Sequence, residues 1–342
     1  MRWSAQRIDT GGEGTGVLFE RGAVARTFDT PGFRGMTFYE VHAKSVINRV
    51  PEASRMPFRW TINPYRGCQH SCVYCFARKT HEYLDMDSGH DFDSRIVVKV
   101  NAPERVRAEL AAPRWRGEHI AMGTNVDCYQ RAEGRYRLMP GIIAALRDAR
   151  NPFSILTKGT LLVRDLDVLT EAAEVTSVAL NLSVGFTDAD LSRAVEPGTP
   201  SPQRRLDVCA AVTARGLRCG ILMGPVLPFL TDSPEQLART VRDIAAAGAA
   251  SVSPIVLHLR PGAREWFLAW LAGHYPDLVA RYRQLYGGGA YAPADYQRRI
   301  SALVAELADT YGIGRASPAA ARRLPTPPAE PAPPAGVQLT LL

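Results

Sequence analysis

Three cysteines within eight residues, Cys68, Cys72 and Cys75, carry the clearest chemical signal in this sequence. Cysteine thiolates are soft ligands that suit iron–sulfur clusters. Three thiolates can hold three corners of a four-iron cluster and leave the fourth iron open to another ligand. The CxxxCxxC spacing therefore predicts a cluster with one iron available for chemistry.

Three other interpretations of these cysteines stay open. Positions i, i+4 and i+7 share a helix face, so the thiols could be buried core residues, although Pro64 and Gly67 just before them favour a turn. His70 could complete a structural Cys3His zinc site, although zinc ligands usually come as two separated pairs. A disulfide framework is typical of secreted proteins, and nothing in the sequence indicates secretion.

The composition is that of a globular protein. The 342 residues are 46% hydrophobic and 22% charged, which is enough to bury a large core, and an α/β barrel can use most of that length as one domain. The start of the chain, residues 1–9, lacks the apolar run of a signal peptide, and no stretch approaches the ~18 apolar residues of a membrane span. We therefore expect a cytoplasmic protein with no membrane partner and with its cysteines reduced.

The net charge of +7 permits a nucleic-acid partner without requiring one. Affinity for phosphate depends on clustered Lys and Arg side chains more than on the total charge. One such cluster is formed by Arg131, Arg135 and Arg137, with Arg114 and Arg116 shortly before it. A solvated loop explains this cluster at least as well.

Six apolar, β-rich segments alternate with six segments of helical periodicity, a pattern that predicts a parallel sheet. The predicted strands are Phe58–Ile62, His119–Thr124, Phe153–Thr157, Ser177–Val184, Leu217–Met223 and Ser251–Leu257. The predicted helices are Pro103–Ala112, Leu138–Asp148, Asp165–Ala173, Pro202–Ala214, Pro234–Ala246 and Ala263–Ala272. Two further helices are predicted at Asp277–Leu285 and Ala294–Tyr311.

Polar residues follow four of these strands, at Thr124–Asp127, Thr157–Lys158, Asn181–Ser183 and Met223–Pro225. In α/β barrels the chemistry collects at the carboxyl ends of the strands. We therefore expect the functional site at this edge.

The cysteine motif, with an aromatic residue just before its last Cys, resembles the signature of the radical S-adenosylmethionine (radical SAM) superfamily. Beyond that motif the chain resembles the spore photoproduct lyase-related, or DNA repair photolyase-like, branch, and within it an actinobacterial subgroup whose reaction is not established. The matching stretches are Asn63–Cys68, Cys75–Arg78, Asp127–Gln130, Thr157–Asp165, Glu196–Pro197, Arg204–Leu206 and Pro225–Pro228.

The resemblance implies a partial (β/α)6 TIM-like barrel of the α/β class, with an N-terminal extension and C-terminal helices. We accordingly divide the chain into an N-terminal extension (1–56), a radical SAM partial barrel (57–272), a C-terminal helical extension (273–314) and a Pro-rich tail (315–342) that we expect to be disordered.

The resemblance also implies the chemistry. The three cysteines would hold a [4Fe-4S] cluster whose open iron binds the amino and carboxylate groups of SAM. An electron from a reductant protein such as flavodoxin or ferredoxin would cleave the sulfonium, and the resulting 5′-deoxyadenosyl radical would abstract a hydrogen atom. We expect the substrate to be a nucleic acid, most plausibly damaged DNA. The alternatives are radical modification of RNA, a peptide or a small metabolite, and a non-catalytic, zinc-stabilised module that binds DNA or the sliding clamp.

Four further residues acquire roles from the resemblance. Tyr74 would pack beside the adenine or the cluster, Lys158 would meet the SAM carboxylate, and Ser183 would hydrogen bond to the same ligand. The glycine-rich segment that contacts the SAM amino group in many members has no clear counterpart, and Thr124 lies in its place. An ordinary core aromatic and a satisfied inward hydroxyl are the alternatives for Tyr74 and Ser183.

Cys128 lies in the region where spore photoproduct lyase carries a cysteine that returns a hydrogen atom to the product radical. The resemblance therefore implies a hydrogen-atom donor, although the sequence around Cys128 does not match that of the lyase. A buried structural thiol is the alternative.

The last five residues, Gln338–Leu342, resemble the QLxLF-type peptide by which bacterial DNA-maintenance proteins bind the replication sliding clamp. A short apolar peptide on a tether is suited to insertion into a pocket. The terminal Leu replaces the more usual Phe, and a terminal strand or a frayed end is the alternative.

Overall fold

A computed structural model of the chain describes residues 23–52, 54 and 56–314. The Pro-rich tail and the clamp-like peptide lie outside the described residues. Within them, no helix has the length and apolar character that crossing a bilayer requires.

The described part of the chain contains a seven-stranded sheet in which six strands are parallel. The parallel strands are β4 (Trp60–Ile62), β7 (Ile120–Met122), β8 (Phe153–Thr157), β9 (Val178–Ser183), β10 (Cys219–Val226) and β11 (Ser251–Val256). An antiparallel strand, β3 (Ile47–Arg49), forms one edge beside β4, and β11 forms the other. The spatial order is β3, β4, β7, β8, β9, β10, β11.

These are the six strands that the sequence predicts, and the helices between them are also confirmed. The α/β fold with an open, mostly parallel sheet is therefore established. The helices are α1 (His90–Ser94), α2 (Ala102–Leu110), α3 (Glu133–Tyr136), α4 (Leu138–Asp148), α5 (Leu166–Val175), α6 (Ala189–Val195), α7 (Pro202–Ala214), α8 (Pro234–Ala246), α9 (Ala263–His274), α10 (Pro276–Tyr286) and α11 (Ala294–Thr310).

The starts of α7 and α8 are explained by their local sequence, a serine cap followed by a proline. Helix α8 begins with a capping box in which the Ser233 hydroxyl accepts from the Gln236 backbone N–H at 3.2 Å, and the Gln236 side chain accepts from the Ser233 N–H at 3.4 Å. A proline follows Ser233 at the first helical position, where its missing N–H costs nothing. Helix α7 also starts with a serine and a proline, since the Ser201 hydroxyl accepts from the Arg204 N–H at 3.4 Å and Pro202 follows it.

A second, four-stranded sheet was not predicted. Its order is β1 (Val24–Arg26), β2 (Thr37–Val41), β6 (Arg95–Lys99) and β5 (Tyr65–Arg66). Strand β5 runs directly into Cys68, so this sheet supports the start of the cysteine loop. At the opposite end of the chain, α11 packs against β11 and α8.

Candidate active site

The cysteine motif forms a loop and not a helix, so the interpretation of a helical core face is wrong. Gly67 begins the loop with φ +77°, and a Cβ there would lie 2.9 Å from the Phe92 carbonyl oxygen, which explains the glycine. The Cys68 N–H donates to that same oxygen at 2.9 Å. Farther along, the Val73 N–H donates to the Val195 carbonyl at 3.0 Å. The loop is thus held between α1 and the end of α6.

Two buried glutamines brace the loop against the segment that follows β7. The Gln130 side chain accepts from the Gln69 N–H and donates to the Gly67 carbonyl, both at 3.0 Å. The Gln69 side chain in turn accepts from the Ala132 N–H at 2.6 Å. These bonds satisfy buried amide groups and hold the loop against the segment that follows β7.

Cys68 and Cys72 are buried and Cys75 is partly exposed. Burial raises the pKa of all three thiols. Among the described residues, no group of three His, Cys, Asp or Glu side chains is arranged to hold a single metal ion.

Asp127 joins the loop to the ends of β7 and β8. Its carboxylate lies 3.3 Å from His70 Nδ1 and accepts from the Thr157 hydroxyl at 2.5 Å and from the Lys158 N–H at 2.6 Å. Burial alone would raise the pKa of Asp127, but the His70 imidazole and the hydrogen bonds outweigh burial and lower that pKa to about 2. Asp127 is therefore a fixed anion that positions His70 and the backbone of Lys158.

Tyr74, Lys158 and Ser183, each predicted as a SAM contact, lie together. Lys158 Nζ lies 2.6 Å from Ser183 Oγ and 5.8 Å from the centre of the Tyr74 ring. The Ser183 hydroxyl donates to the Gly224 carbonyl at 2.8 Å, so it is oriented from the next strand. Lys158 follows β8 and Ser183 ends β9, so both lie at the carboxyl edge of the sheet, where we expect the functional site.

Glu196 and Arg205 also belong to this cluster, and neither was predicted as a site residue. The buried Glu196 carboxylate accepts from the Tyr74 hydroxyl, pairs with Arg205 and lies 3.9 Å from Lys158 Nζ. Arg205 also donates to the Ser183 carbonyl at 3.0 Å. Burial alone would raise the pKa of Glu196, but the charges of Arg205 and Lys158 lower it below its usual range. Both residues lay in matching stretches, but nothing in their spacing indicated that they form a pair.

The Radical SAM superfamily model matches residues 62–241, more than half of the chain. The chain belongs to the radical SAM superfamily. The uncharacterized protein Rv2578c of Mycobacterium tuberculosis (strain ATCC 25618 / H37Rv) is 48% identical over 345 residues, with 100% of both chains covered. The uncharacterized protein MJ0683 of Methanocaldococcus jannaschii is 29% identical over 195 residues, covering 56% of this chain and 69% of that one.

Among solved structures, spore photoproduct lyase complexed with dinucleoside spore photoproduct matches this radical SAM protein with a TM-score of 0.62. The two share 14% sequence identity, and the match covers 82% of this chain and 81% of that one. A spore photoproduct lyase mutant with bound AdoMet and the dinucleoside photoproduct matches with a TM-score of 0.61, also at 14% identity, and covers 78% of each chain. At this identity the likeness shows a shared fold.

The groups at the strand edge of this radical SAM protein fit the cofactor that its family implies. The Thr124 hydroxyl, just after β7, is buried and has no hydrogen-bond partner among the residues that the structure describes. It follows the strand next to β8 and Lys158, which in turn neighbours β9 and Ser183. An unsatisfied hydroxyl, an ammonium and a second hydroxyl on three adjacent strands match a ligand that carries both donors and acceptors. The three soft thiols match an iron–sulfur cluster.

Cys128 lies just after β7 and is fully buried in the core. Burial raises its pKa, and the neighbouring Asp127 and Glu133 carboxylates raise it further. The structure therefore places a neutral thiol close to the cysteine loop, and its role as a hydrogen-atom donor stays a prediction. Cys209 and Cys219 are buried as well.

Proposed function

We propose that this radical SAM enzyme binds a [4Fe-4S] cluster through Cys68, Cys72 and Cys75, cleaves SAM, and abstracts a hydrogen atom from a nucleic acid, with damaged DNA as the expected substrate. The observation that carries this proposal is the cluster of Lys158 and Ser183 with the buried Tyr74 ring at the strand edge next to the cysteine loop.

The contribution of the protein's own residues is to hold the cluster and SAM and to orient them. When bound, the reduced cluster and SAM supply the hydrogen-abstracting chemistry. Lys158 would pair with the SAM carboxylate, because an ammonium is a compact charge suited to a carboxylate beside an apolar wall. Glu196, which is paired with Arg205, lies 3.9 Å from that ammonium and attracts it, and Thr124 offers its unsatisfied hydroxyl. A fixed arrangement limits the motion of the reacting groups and keeps water away from them.

Two observations support the proposed substrate class. Two of the similar spore photoproduct lyase structures contain a dinucleoside spore photoproduct. The chain has a net charge of +7, which permits binding to phosphates.

The first experiment tests the cofactor. Protein purified and reconstituted without oxygen should contain iron and sulfide, absorb visible light, and convert SAM to 5′-deoxyadenosine and methionine after reduction with dithionite. Triple replacement of the motif cysteines by Ala should abolish iron binding, whereas the matched control Cys209→Ala should retain it. Colourless protein that contains zinc and leaves SAM intact would refute the proposal and favour a zinc-stabilised module.

The second experiment tests the substrate. Irradiated DNA carrying deuterium at the damaged bases should transfer deuterium into 5′-deoxyadenosine, and undamaged DNA of the same sequence serves as the control. SAM cleavage without any deuterium transfer would favour RNA, a peptide or a small metabolite as the target.

In the same assay Cys128→Ala tests hydrogen-atom return, because loss of that donor should change the products without preventing abstraction.

We also propose that Gln338–Leu342 binds the replication sliding clamp. A pull-down should recover clamp with the full chain and lose it with a chain truncated after Pro334. Equal recovery by both chains would refute this contact.

A further inference from the structure

Two exposed aromatic rings flank an arginine next to the last cysteine of the motif. Phe76, which follows Cys75, is 43% exposed, and Tyr291 is 47% exposed. The Arg260 guanidinium lies 5.4 Å from the centre of the Phe76 ring and donates to the Tyr291 hydroxyl at 3.3 Å. We call Phe76, Arg260 and Tyr291 the aromatic–arginine surface.

The backbone around this surface is built to hold it. Arg260 follows β11 shortly after its carboxyl end, on the edge of the sheet that carries the candidate active site. His258 and Tyr291 form an antiparallel bridge, and their rings meet edge to face at 4.6 Å. The Leu259 N–H donates to the Ala290 carbonyl at 2.8 Å. Arg260 and Tyr291 are thus fixed relative to each other by main-chain bonds.

The charges around the surface are mostly positive. The Lys79 side chain packs beside Gly262, and Arg264 donates to the Gly287 carbonyl at 2.8 Å. Glu265 is the acidic neighbour on the same turn, and its carboxylate accepts from the Gly262 N–H at 2.6 Å. Together with Arg260, these residues place three cations and one carboxylate around the surface, a balance that favours an anionic partner.

We infer that the aromatic–arginine surface binds an unpaired base of the nucleic-acid substrate and its adjacent phosphate. This inference rests on the proposed function. Aromatic rings stack on the faces of bases regardless of sequence, and an arginine between them can contact phosphate or a base face. A base within a duplex offers no such face, so enzymes that act on bases use single strands or extrude the base. The position beside Cys75 would bring such a base close to the proposed cluster.

The test measures fluorescence anisotropy of a labelled single-stranded oligonucleotide and of its duplex with the full, reconstituted protein. Phe76→Ala and Tyr291→Ala should each weaken single-strand binding by about ten-fold, the effect of losing a stacked ring. Arg260→Ala should weaken it similarly and reduce the dependence of binding on salt, whereas Arg260→Lys should preserve the salt dependence. Arg281→Ala removes an exposed arginine that lies 4.0 Å over the Phe229 ring elsewhere and should bind like the wild type.

The outcomes separate this inference from the proposed function. Wild-type affinity in all the surface variants would overturn the inference and leave the proposed function standing. A wild-type protein that cleaves SAM but binds neither oligonucleotide would refute nucleic acid as the substrate class, and the inference with it. Thermal unfolding midpoints equal to that of Arg281→Ala would show that weaker binding by the surface variants is not a folding defect.

Discussion

Two buried carboxylates, Glu133 and Glu196, have nearly the same partners and opposite electrostatics. Each accepts a hydrogen bond from a tyrosine hydroxyl and pairs with an arginine. The pKa of Glu133 is nevertheless raised, and the pKa of Glu196 is lowered. We infer from this difference that Glu133 stabilises the start of a helix, whereas Glu196 belongs to the candidate active site.

Glu133 is satisfied mainly by neutral donors. Its carboxylate accepts from the Tyr65 hydroxyl at 2.5 Å and from the N–H groups of Leu138 and Met139, both at 3.1 Å, and Arg164 pairs with it at 2.6 Å. Burial outweighs these contacts and raises its pKa. The two backbone donors belong to the first turn of α4, so Glu133 serves to cap that helix.

Glu196 is held instead by two cations. Arg205 pairs with it directly, and Lys158 Nζ lies 3.9 Å away, at a distance that leaves the ammonium able to serve another anion. Arg205 donates to the Ser183 carbonyl at 3.0 Å, whereas Lys158 Nζ lies 2.6 Å from the Ser183 hydroxyl. An excess of positive charge around one carboxylate is an arrangement that suits an anionic ligand.

The largest effect we expect is on stability, from removing each arginine. Arg205→Met should lower the free energy of unfolding by about 3 to 5 kcal/mol, because it leaves a fully buried ion pair broken and the Ser183 carbonyl without its donor. Arg164→Met should cost less, about 1 to 3 kcal/mol, although Arg164 also pairs with Asp165 at 2.7 Å, because Arg164 is partly exposed and Glu133 keeps three neutral donors and can take up a proton. Urea unfolding of both variants at neutral pH measures this. A loss from Arg164→Met that equals or exceeds the loss from Arg205→Met would contradict this expectation.

Much of this fold could be predicted from the sequence, but only part of the difference between Glu133 and Glu196 could be. The six parallel strands were predictable because each is an apolar run in a regular alternation, and Lys158 was found because it follows β8. Glu196 follows α6, a seven-residue helix that the sequence analysis missed, so no strand end indicated it.

The small sheet was missed for a related reason. Strand β5 has two residues, which is too short for any periodic signal. Strand β6 carries an apolar run, Ile96–Val98, but it lies outside the strand–helix alternation on which the prediction depended. The pairing of β5 with β6 is a tertiary contact that no local pattern encodes.

The next largest effect that we expect is on SAM binding. It tests Lys158, the cation that lies near Glu196 and that would also meet the SAM carboxylate. Lys158→Met should weaken SAM binding by about a hundred-fold, or about 3 kcal/mol, since it removes the charge that would meet the SAM carboxylate. Equilibrium dialysis of reconstituted protein without oxygen measures the affinity. Lys44→Met, which changes an exposed lysine that is not part of the Tyr74, Lys158 and Ser183 cluster, is the matched control. Unchanged SAM affinity in Lys158→Met would leave Lys158 as a structural partner of Glu196 alone.

The smallest effect is a pH dependence of opposite sign for the two carboxylates. The folded-state pKa of Glu196 lies below its ordinary value of 4.5, so the stability that its ionised form contributes is present above pH 4.5 and is lost as the pH falls through the folded-state pKa. The folded-state pKa of Glu133 lies above 4.5, so its contribution is full below pH 4.5 and is lost as the pH rises through the folded-state pKa.

Replacement by glutamine exposes this difference. The stability advantage of the wild type over Glu196→Gln should shrink as the pH falls below 4.5. Its advantage over Glu133→Gln should shrink as the pH rises above 4.5. Each slope is at most about 1.4 kcal/mol per pH unit, the value for one proton. Urea unfolding from about pH 3.5 to pH 7 covers both windows. Slopes of the same sign would show that Lys158 and Arg205 do not give Glu196 the excess of positive charge that distinguishes the site from the helix cap.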